Sequence, residues 1–346
     1  MTSEVAIGNT AIGAGNRIAV QSMLNRPSSD IEGNVLQAIQ LEKAGCDINR
    51  VSIPDEKAVA LIGAIKEKSA IPLVADIHFD YRLAIKSAEA GVDKIRFNPG
   101  NIGSEKNAKM VVDCCRAHGI PIRVGVNSGS LEKALLAKYG GVTSEALCES
   151  ALRHVRLIED CGYDKIVISM KSTDIRTMVG AYRLAAGLCD YPLHLGVTEA
   201  GTGESGTIKS AIGIGALLLE GIGDTIRVSL TDEPVNEITA GKTILKALDL
   251  AEGVRVISCP TCGRTDIDVI AIAKEIECAT SHIKQTLSVA VMGCVVNGPG
   301  EASRADIGIA GGRDSAVLFK SGEVLRVIKS NYAEELLKEI EVICGE

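Results

Sequence analysis

The chain of 346 residues contains no tryptophan, and only 3% of its residues are aromatic. Single-stranded nucleic acid is gripped by stacking bases on aromatic faces, so that class of partner is not expected. An excess of basic residues is also missing. The formal net charge is −7, the wrong sign for a nucleic-acid backbone or an anionic membrane surface. The most apolar stretch, AIGIGALLL at 211–219, is too short for a bilayer, which takes about 20 residues in a helix. The opening MTSEVAIGNT has no basic segment leading into an apolar run, as a secretory signal would. These absences predict a soluble, cytoplasmic protein whose partners are neither nucleic acid nor membrane.

What is present is apolar residues, at 46%, and eleven cysteines. The length suits one large domain and one small one. An odd number of cysteines without an export signal argues against a disulfide framework. Cys46, Cys114, Cys115, Cys148, Cys161, Cys189 and Cys344 are read as plain small hydrophobes in cores and helices.

Two patterns alternate along the first 240 or so residues. AGCDINRVSIP (44–54), AGVDKIRFNPG (90–100), CGYDKIVISMK (161–171) and GIGDTIRVSL (221–230) each pass from a glycine into a β-branched run. Glycine suits a helix C-terminus. IPLVADIHF (71–79), IPIRVGVNS (120–128) and YPLHLGVTE (191–199) each begin near a proline, which is tolerated at the first residue of a strand. Helix-like segments such as 30–44, 55–68 and 144–160 lie between, with acidic or hydroxyl residues at their starts. With RIAVQSM (17–23) as the first strand, the pattern predicts eight strands, each followed by a helix. That is a (β/α)8 TIM barrel over residues 1–250, preferred to a doubly wound sheet because no GxGxxG turn follows the first strand.

Barrel active sites lie at the C-terminal strand ends. The polar residues there are Arg50 and Ser52, Asp76 and His78, Arg96 and Asn98, Arg123 and Asn127, Ser169 and Lys171, His194 and Thr198, Arg227 and Ser229. Even spacing puts each set on one strand face, here the lumen. Val51, Ile77, Phe97, Val124, Met170, Leu195 and Val228 fall between them and should pack against helices. Glu199 breaks this parity where the strand should already be turning. An Arg–Asp76 ion pair alone would be unremarkable in a barrel interior. Arg50, Arg96, Arg123, Arg227 and Lys171 together, with few acids to match, would be costly without an anion. A phosphate or diphosphate ligand is expected.

Residues 251–346 read as a small α+β domain with its chemistry in two loops. SCPTCGR (258–264) carries Cys259 and Cys262, and MGCVVNGPGEA (292–302) carries Cys294. Three thiolates leave a tetrahedral site open, and Glu301, His282 and Cys278 are the candidates for a fourth ligand. A structural zinc is the plain reading of a lone CxxC. Glycine-rich loops that let backbone approach a large object suit an iron–sulfur cluster.

CDINRVSIPD, LGVTEAGTGESGTIKSAIGIGALLLEGIGDTIRVSLT, SCPTCGRT and MGCVVNGPGEA resemble the IspG/GcpE family of bacterial 4-hydroxy-3-methylbut-2-enyl diphosphate synthases, and the likeness runs over nearly the whole chain. The resemblance implies a [4Fe–4S] cluster on Cys259, Cys262, Cys294 and Glu301, with Glu301 on an exchangeable iron. It implies a substrate pocket matching Arg50, Asp76, Arg96, Asn98, Arg123, Asn127, Lys171, Glu199 and Ser229, to which strand parity adds His78, His194 and Arg227. Glu199 then serves as an acid–base group. The implied reaction is reductive ring opening and dehydration of 2-C-methyl-D-erythritol 2,4-cyclodiphosphate in non-mevalonate isoprenoid synthesis, with flavodoxin or ferredoxin as electron donor. It further implies a head-to-tail homodimer, each cluster domain covering its partner's barrel. Two other readings are a barrel transferase for a phosphorylated or pterin-like substrate with a structural zinc domain, and a redox sensor or electron carrier.

Overall fold

The computed structural model describes residues 1–294 and 305–345. The chain divides into two compact units, Met1–Leu248 and Asp249–Glu346. The first opens with an antiparallel hairpin of β1 (Val5–Ile7) and β2 (Thr10–Ile12). Eight strands follow: β3 (Ala19–Met23), β4 (Ile48–Ser52), β5 (Leu73–Asp76), β6 (Lys94–Phe97), β7 (Ile122–Asn127), β8 (Ile166–Lys171), β9 (His194–Leu195) and β10 (Thr225–Ile226). All pairings among them are parallel. They neighbour one another in chain order from β3 to β8, and β10 lies between β9 and β3. One isolated bridge, Ile168 to Leu193, brings the ring close to closure.

Each strand leads into helix. Asp30, Asp80, Ser104, Thr143 and Asp174 accept hydrogen bonds from first-turn backbone N–H groups, a capping contact that contributes about 1 kcal/mol each. The residues between the polar lumen positions behave as the pleat requires: Val51, Ile77, Phe97, Val124, Met170, Leu195 and Val228 are all buried. The expected strands at 191–199 and 221–230 shrink to two residues each, β9 and β10. The reason at β9 is local. Glu199 takes a left-handed backbone, φ +51°, followed by Gly201 at +114°, so the chain turns away almost at once.

The hairpin was not anticipated, because strands of three residues carry too little alternation to read. Val5, Ile7 and Ile12 form one apolar cluster with Ala19, Ile48, Val74 and Val167. Ala19 and Ile48 begin their strands, so the hairpin closes the N-terminal end of the barrel.

The second unit is built on one five-stranded sheet: β11 (Val254–Ser258), β12 (Leu287–Met292), β13 (Ile307–Gly312), β14 (Ser315–Lys320) and β15 (Glu323–Ile328). The first three are parallel and the last two add on antiparallel. Ile272 and Ile276 of helix Val269–Ala279, and Leu336 and Ile340 of helix Tyr332–Cys344, share a core with Val289, Val291, Ile307 and Ile309. Ala290, Met292, Ala310 and Phe319 cluster separately, as the period of two in a strand requires.

Candidate functional site

The lumen is lined by the alternate residues of the strands. Pairing runs Ser52–Asp76–Arg96–Arg123 across β4 to β7, so one row carries Asp76 and two arginines. Asp76 accepts from Arg50 Nη2 at 2.6 Å and from Arg96 Nη1 at 3.1 Å, with His78 Nε2 at 3.2 Å. Burial alone would raise its carboxyl. Arg50, the His78 hydrogen bond and Arg96 outweigh that and hold it well below the usual carboxylate range.

The other cations have less. Arg123 is wholly buried; its Nη1 lies 3.5 Å from Gln21 Oε1, and its Nε has no partner. Burial, then Arg50 and Arg96, act against its charged form. Arginine does not release its proton in proteins, so this tension amounts to a demand for an anion. Lys171, at the end of β8, is pushed well below the ordinary lysine value by burial and then by Arg227, Arg50, Arg123 and Arg96. Arg227 differs, because Glu237 of helix Pro234–Ala247 takes its Nε at 3.3 Å and its Nη2 at 3.1 Å.

Glycines make room for these side chains. A Cβ on Gly125 would lie 2.3 Å from Arg96 Nε, and one on Gly196 would lie 2.7 Å from the Arg227 carbonyl oxygen and 3.2 Å from Lys171 Nζ. Arg96 also donates to the Gly125 carbonyl at 3.3 Å. Gly125→Ala is therefore expected to push Arg96 off Asp76. The loss of one charge-assisted hydrogen bond predicts a fall in kcat/KM of about 10- to 100-fold. Steady-state kinetics check this; an unchanged kcat/KM in a folded variant would show that Arg96 has another place to go.

The remaining expected residues fall as follows. Asn127 ends β7, and Ser229 lies three residues past β10. Asn98 uses its Oδ1 to accept from Gly100 N at 3.0 Å, capping the turn Pro99–Asn101. His78 is about half exposed beside Asp76. His194 is wholly buried, with Nδ1 2.6 Å from Thr225 Oγ1 and Nε2 unpartnered. Glu199 is exposed, just past β9. Its left-handed backbone costs on the order of 1–3 kcal/mol for a non-glycine residue, strain that fits a functional position.

Lys94, Glu237 and Gln21, which faces Arg123 from β3, escaped the sequence reading. Lys94 shares the face of Arg96 and Asn98, two residues earlier, so the same parity would have found it. Glu237 sits on a helix, where strand parity has nothing to say.

In the second unit the two cysteine loops meet. Gly293 N–H donates to Cys259 Sγ at 3.1 Å, and Asp266 N–H to the Gly293 carbonyl at 2.9 Å. Cys294 is buried and Cys262 exposed. The thiol of Cys262 is lowered by the Arg264 backbone N–H, then by the Arg264 side chain and Thr265. Burial acts the other way on the structural thiols, raising Cys46 to about 12 and Cys148 to about 11. A lowered thiol with an N–H···S contact nearby fits a thiolate site for a soft metal centre. Glu301 lies outside the described residues. Among the described residues no three His, Cys, Asp or Glu are gathered as a metal site. Cys278 is exposed at the end of helix Val269–Ala279, and His282 follows it in the sequence.

Among the described residues no helix is long and apolar enough to cross a membrane. A dihydropteroate synthase from Stenotrophomonas maltophilia, solved with active site-bound imidazole, superposes with a TM-score of 0.54 at 13% identity, over 72% of this chain and 97% of that one. That likeness speaks for the barrel fold alone. A 4-hydroxy-3-methylbut-2-en-1-yl diphosphate synthase (flavodoxin) from Caldanaerobacter subterraneus subsp. tengcongensis is 62% identical over 100% of this chain and 98% of its own length. The protein of the same name from Clostridium perfringens is 56% identical over 99% of both. Residues 2–242 match the GcpE TIM-barrel domain and residues 255–342 the GcpE protein C-terminal domain, and with both domains matched in order the chain belongs to the GcpE family.

Proposed function

We propose that the chain converts 2-C-methyl-D-erythritol 2,4-cyclodiphosphate into 4-hydroxy-3-methylbut-2-enyl diphosphate. Two electrons enter, the ring carbon–oxygen bond to the diphosphate opens, and a hydroxyl leaves as water. The observation that carries this reading is the charge of the lumen. Arg50, Lys94, Arg96, Arg123, Lys171 and Arg227 face it, and among the described residues the buried acids are Asp76 and Glu237. A diphosphate supplies the missing negative charge, and cations fixed in a dry pocket stabilise it further as it departs. In this reading Arg96, Arg123 and Lys171 hold the diphosphate oxygens, Asn98, Asn127 and Ser229 orient the carbon skeleton, and Asp76 keeps Arg50 and Arg96 in place. The Glu199 carboxyl, at the mouth, carries a proton to the departing hydroxyl.

Cys259, Cys262, Cys294 and Glu301 are assigned to a [4Fe–4S] cluster. When bound, that group supplies electrons singly and an iron open to ligand exchange at its carboxylate corner. The names of the relatives specify flavodoxin, and we assign flavodoxin as donor, with ferredoxin able to replace it. The assembly proposed is a head-to-tail homodimer in which one subunit's cluster domain serves its partner's barrel. The transferase reading, with a structural zinc, is not favoured, because full-length relatives at 62% and 56% identity carry the diphosphate synthase name.

Anaerobically purified protein should be brown, with about four irons per chain, and should turn over the cyclodiphosphate with reduced flavodoxin. Colourless protein with stoichiometric zinc, or iron-loaded protein that leaves the substrate untouched, would overturn the assignment.

A further inference from the structure

Lys94 is wholly buried on the inner face of β6, and its Nζ has no hydrogen-bond partner. Pairing places Arg50, Val74 and Lys94 in one row across β4, β5 and β6, next to the row that carries Asp76, Arg96 and Arg123. The charged groups acting on it are Arg123 from β7 and Arg50 from β4, both positive. From β9, His194 faces the same interior, pushed well below the ordinary imidazole range by burial and then by Arg123. The nearby carboxylates are engaged elsewhere. Asp76 is taken by Arg50, Arg96 and His78, and Glu237 by Arg227.

An unpaired ammonium in such a place is expensive. The arginines around it cannot shed their charge, but a lysine can. Burial, then Arg123 and Arg50, push Lys94 well below the ordinary lysine value. A cyclic diphosphate brings two negative charges and no proton of its own to lose near neutral pH, since each phosphorus carries one strongly acidic oxygen. Its arrival reverses the sign of the field at Nζ.

Resting on the reading of the lumen as the diphosphate site, we propose that Lys94 is a positioning residue of that site, an amine in the free enzyme that becomes an ammonium when the doubly negative ligand binds. The lone pair of Nζ takes one proton from solvent, and the pocket gains a positive charge only when an anion is there to use it. A singly charged phosphodiester returns less of the cost, so the device favours two negative charges over one.

The test is isothermal titration of the holoenzyme with 2-C-methyl-D-erythritol 2,4-cyclodiphosphate at pH 8, without electron donor, in two buffers of different ionisation enthalpy. The difference between buffers counts protons taken up. K94M and K94Q replace the amine with uncharged chains of similar length. Wild type is expected to take up about one proton more than either variant and to bind roughly tenfold tighter, an effect of one added charge at an intermediate dielectric. Lys171 and His194 are present in all three proteins, so uptake that belongs to either appears in the variants as well. The free proteins supply an independent sign. A lysine that is an amine when folded binds fewer protons than in the unfolded chain, so wild type should lose stability relative to K94M as pH falls below the ordinary lysine value. Equal uptake in wild type and variants, or no uptake by wild type, overturns the proposal while tight binding leaves the lumen site standing. No binding to wild type overturns both.

Discussion

Arg123→Met is expected to lower kcat/KM by about 30- to 1,000-fold, the loss of 2–4 kcal/mol of transition-state stabilisation, and to raise the melting temperature of the free enzyme. The two effects have one cause. Arg123 is wholly buried with one long contact to Gln21 and an unpartnered Nε. In the free protein it is a cation held among cations, and an apolar side chain of similar reach relieves that repulsion. On the proposed reading it meets the diphosphate in the liganded protein. Kinetics and a melting curve on the same preparation decide. Lower stability together with lower activity would mean that Arg123 holds the barrel together and does not serve the ligand.

Cys259→Ser should cost more, on the order of 1,000-fold or beyond, because an alkoxide is a poor partner for iron in a sulfur-rich site. Iron content and visible absorption should fall with activity. The barrel should still bind the cyclodiphosphate, since Cys259 belongs to the unit Asp249–Glu346 and the lumen to Met1–Leu248. Arg123→Met and Cys259→Ser preparations, mixed under conditions that exchange subunits, should recover activity if the proposed homodimer holds, since a heterodimer would then contain one intact barrel served by one intact cluster domain. If exchange is demonstrated and no activity returns, the shared-site homodimer is wrong.

The lumen was legible because a strand alternates strictly. Arg50, Asp76, Arg96, Arg123 and Lys171 could be placed on one side, and Val51, Phe97, Val124 and Met170 on the other, from spacing alone. Lys94 was equally legible and was passed over only because it begins its strand. Glu237 was not, since its link to Arg227 joins a helix to a strand end, and no local period encodes that meeting. The hairpin Val5–Ile12 was illegible for want of length. The two-residue strands β9 and β10 show that a β-branched run sets the face a residue takes, but not how far pairing extends. The ligand set on the second unit was readable as chemistry, two cysteine loops, while the meeting of those loops at Gly293 and Cys259 depends on β11 and β12 lying side by side.

The hairpin that closes the barrel floor, through Val5, Ile7 and Ile12, turns a tube into a cul-de-sac. Nothing can flow through it. Product has to back out by the opening through which substrate entered, and a second substrate cannot queue behind the first. With the diphosphate site in the lumen as proposed, product and substrate exclude one another, and product is expected to inhibit competitively.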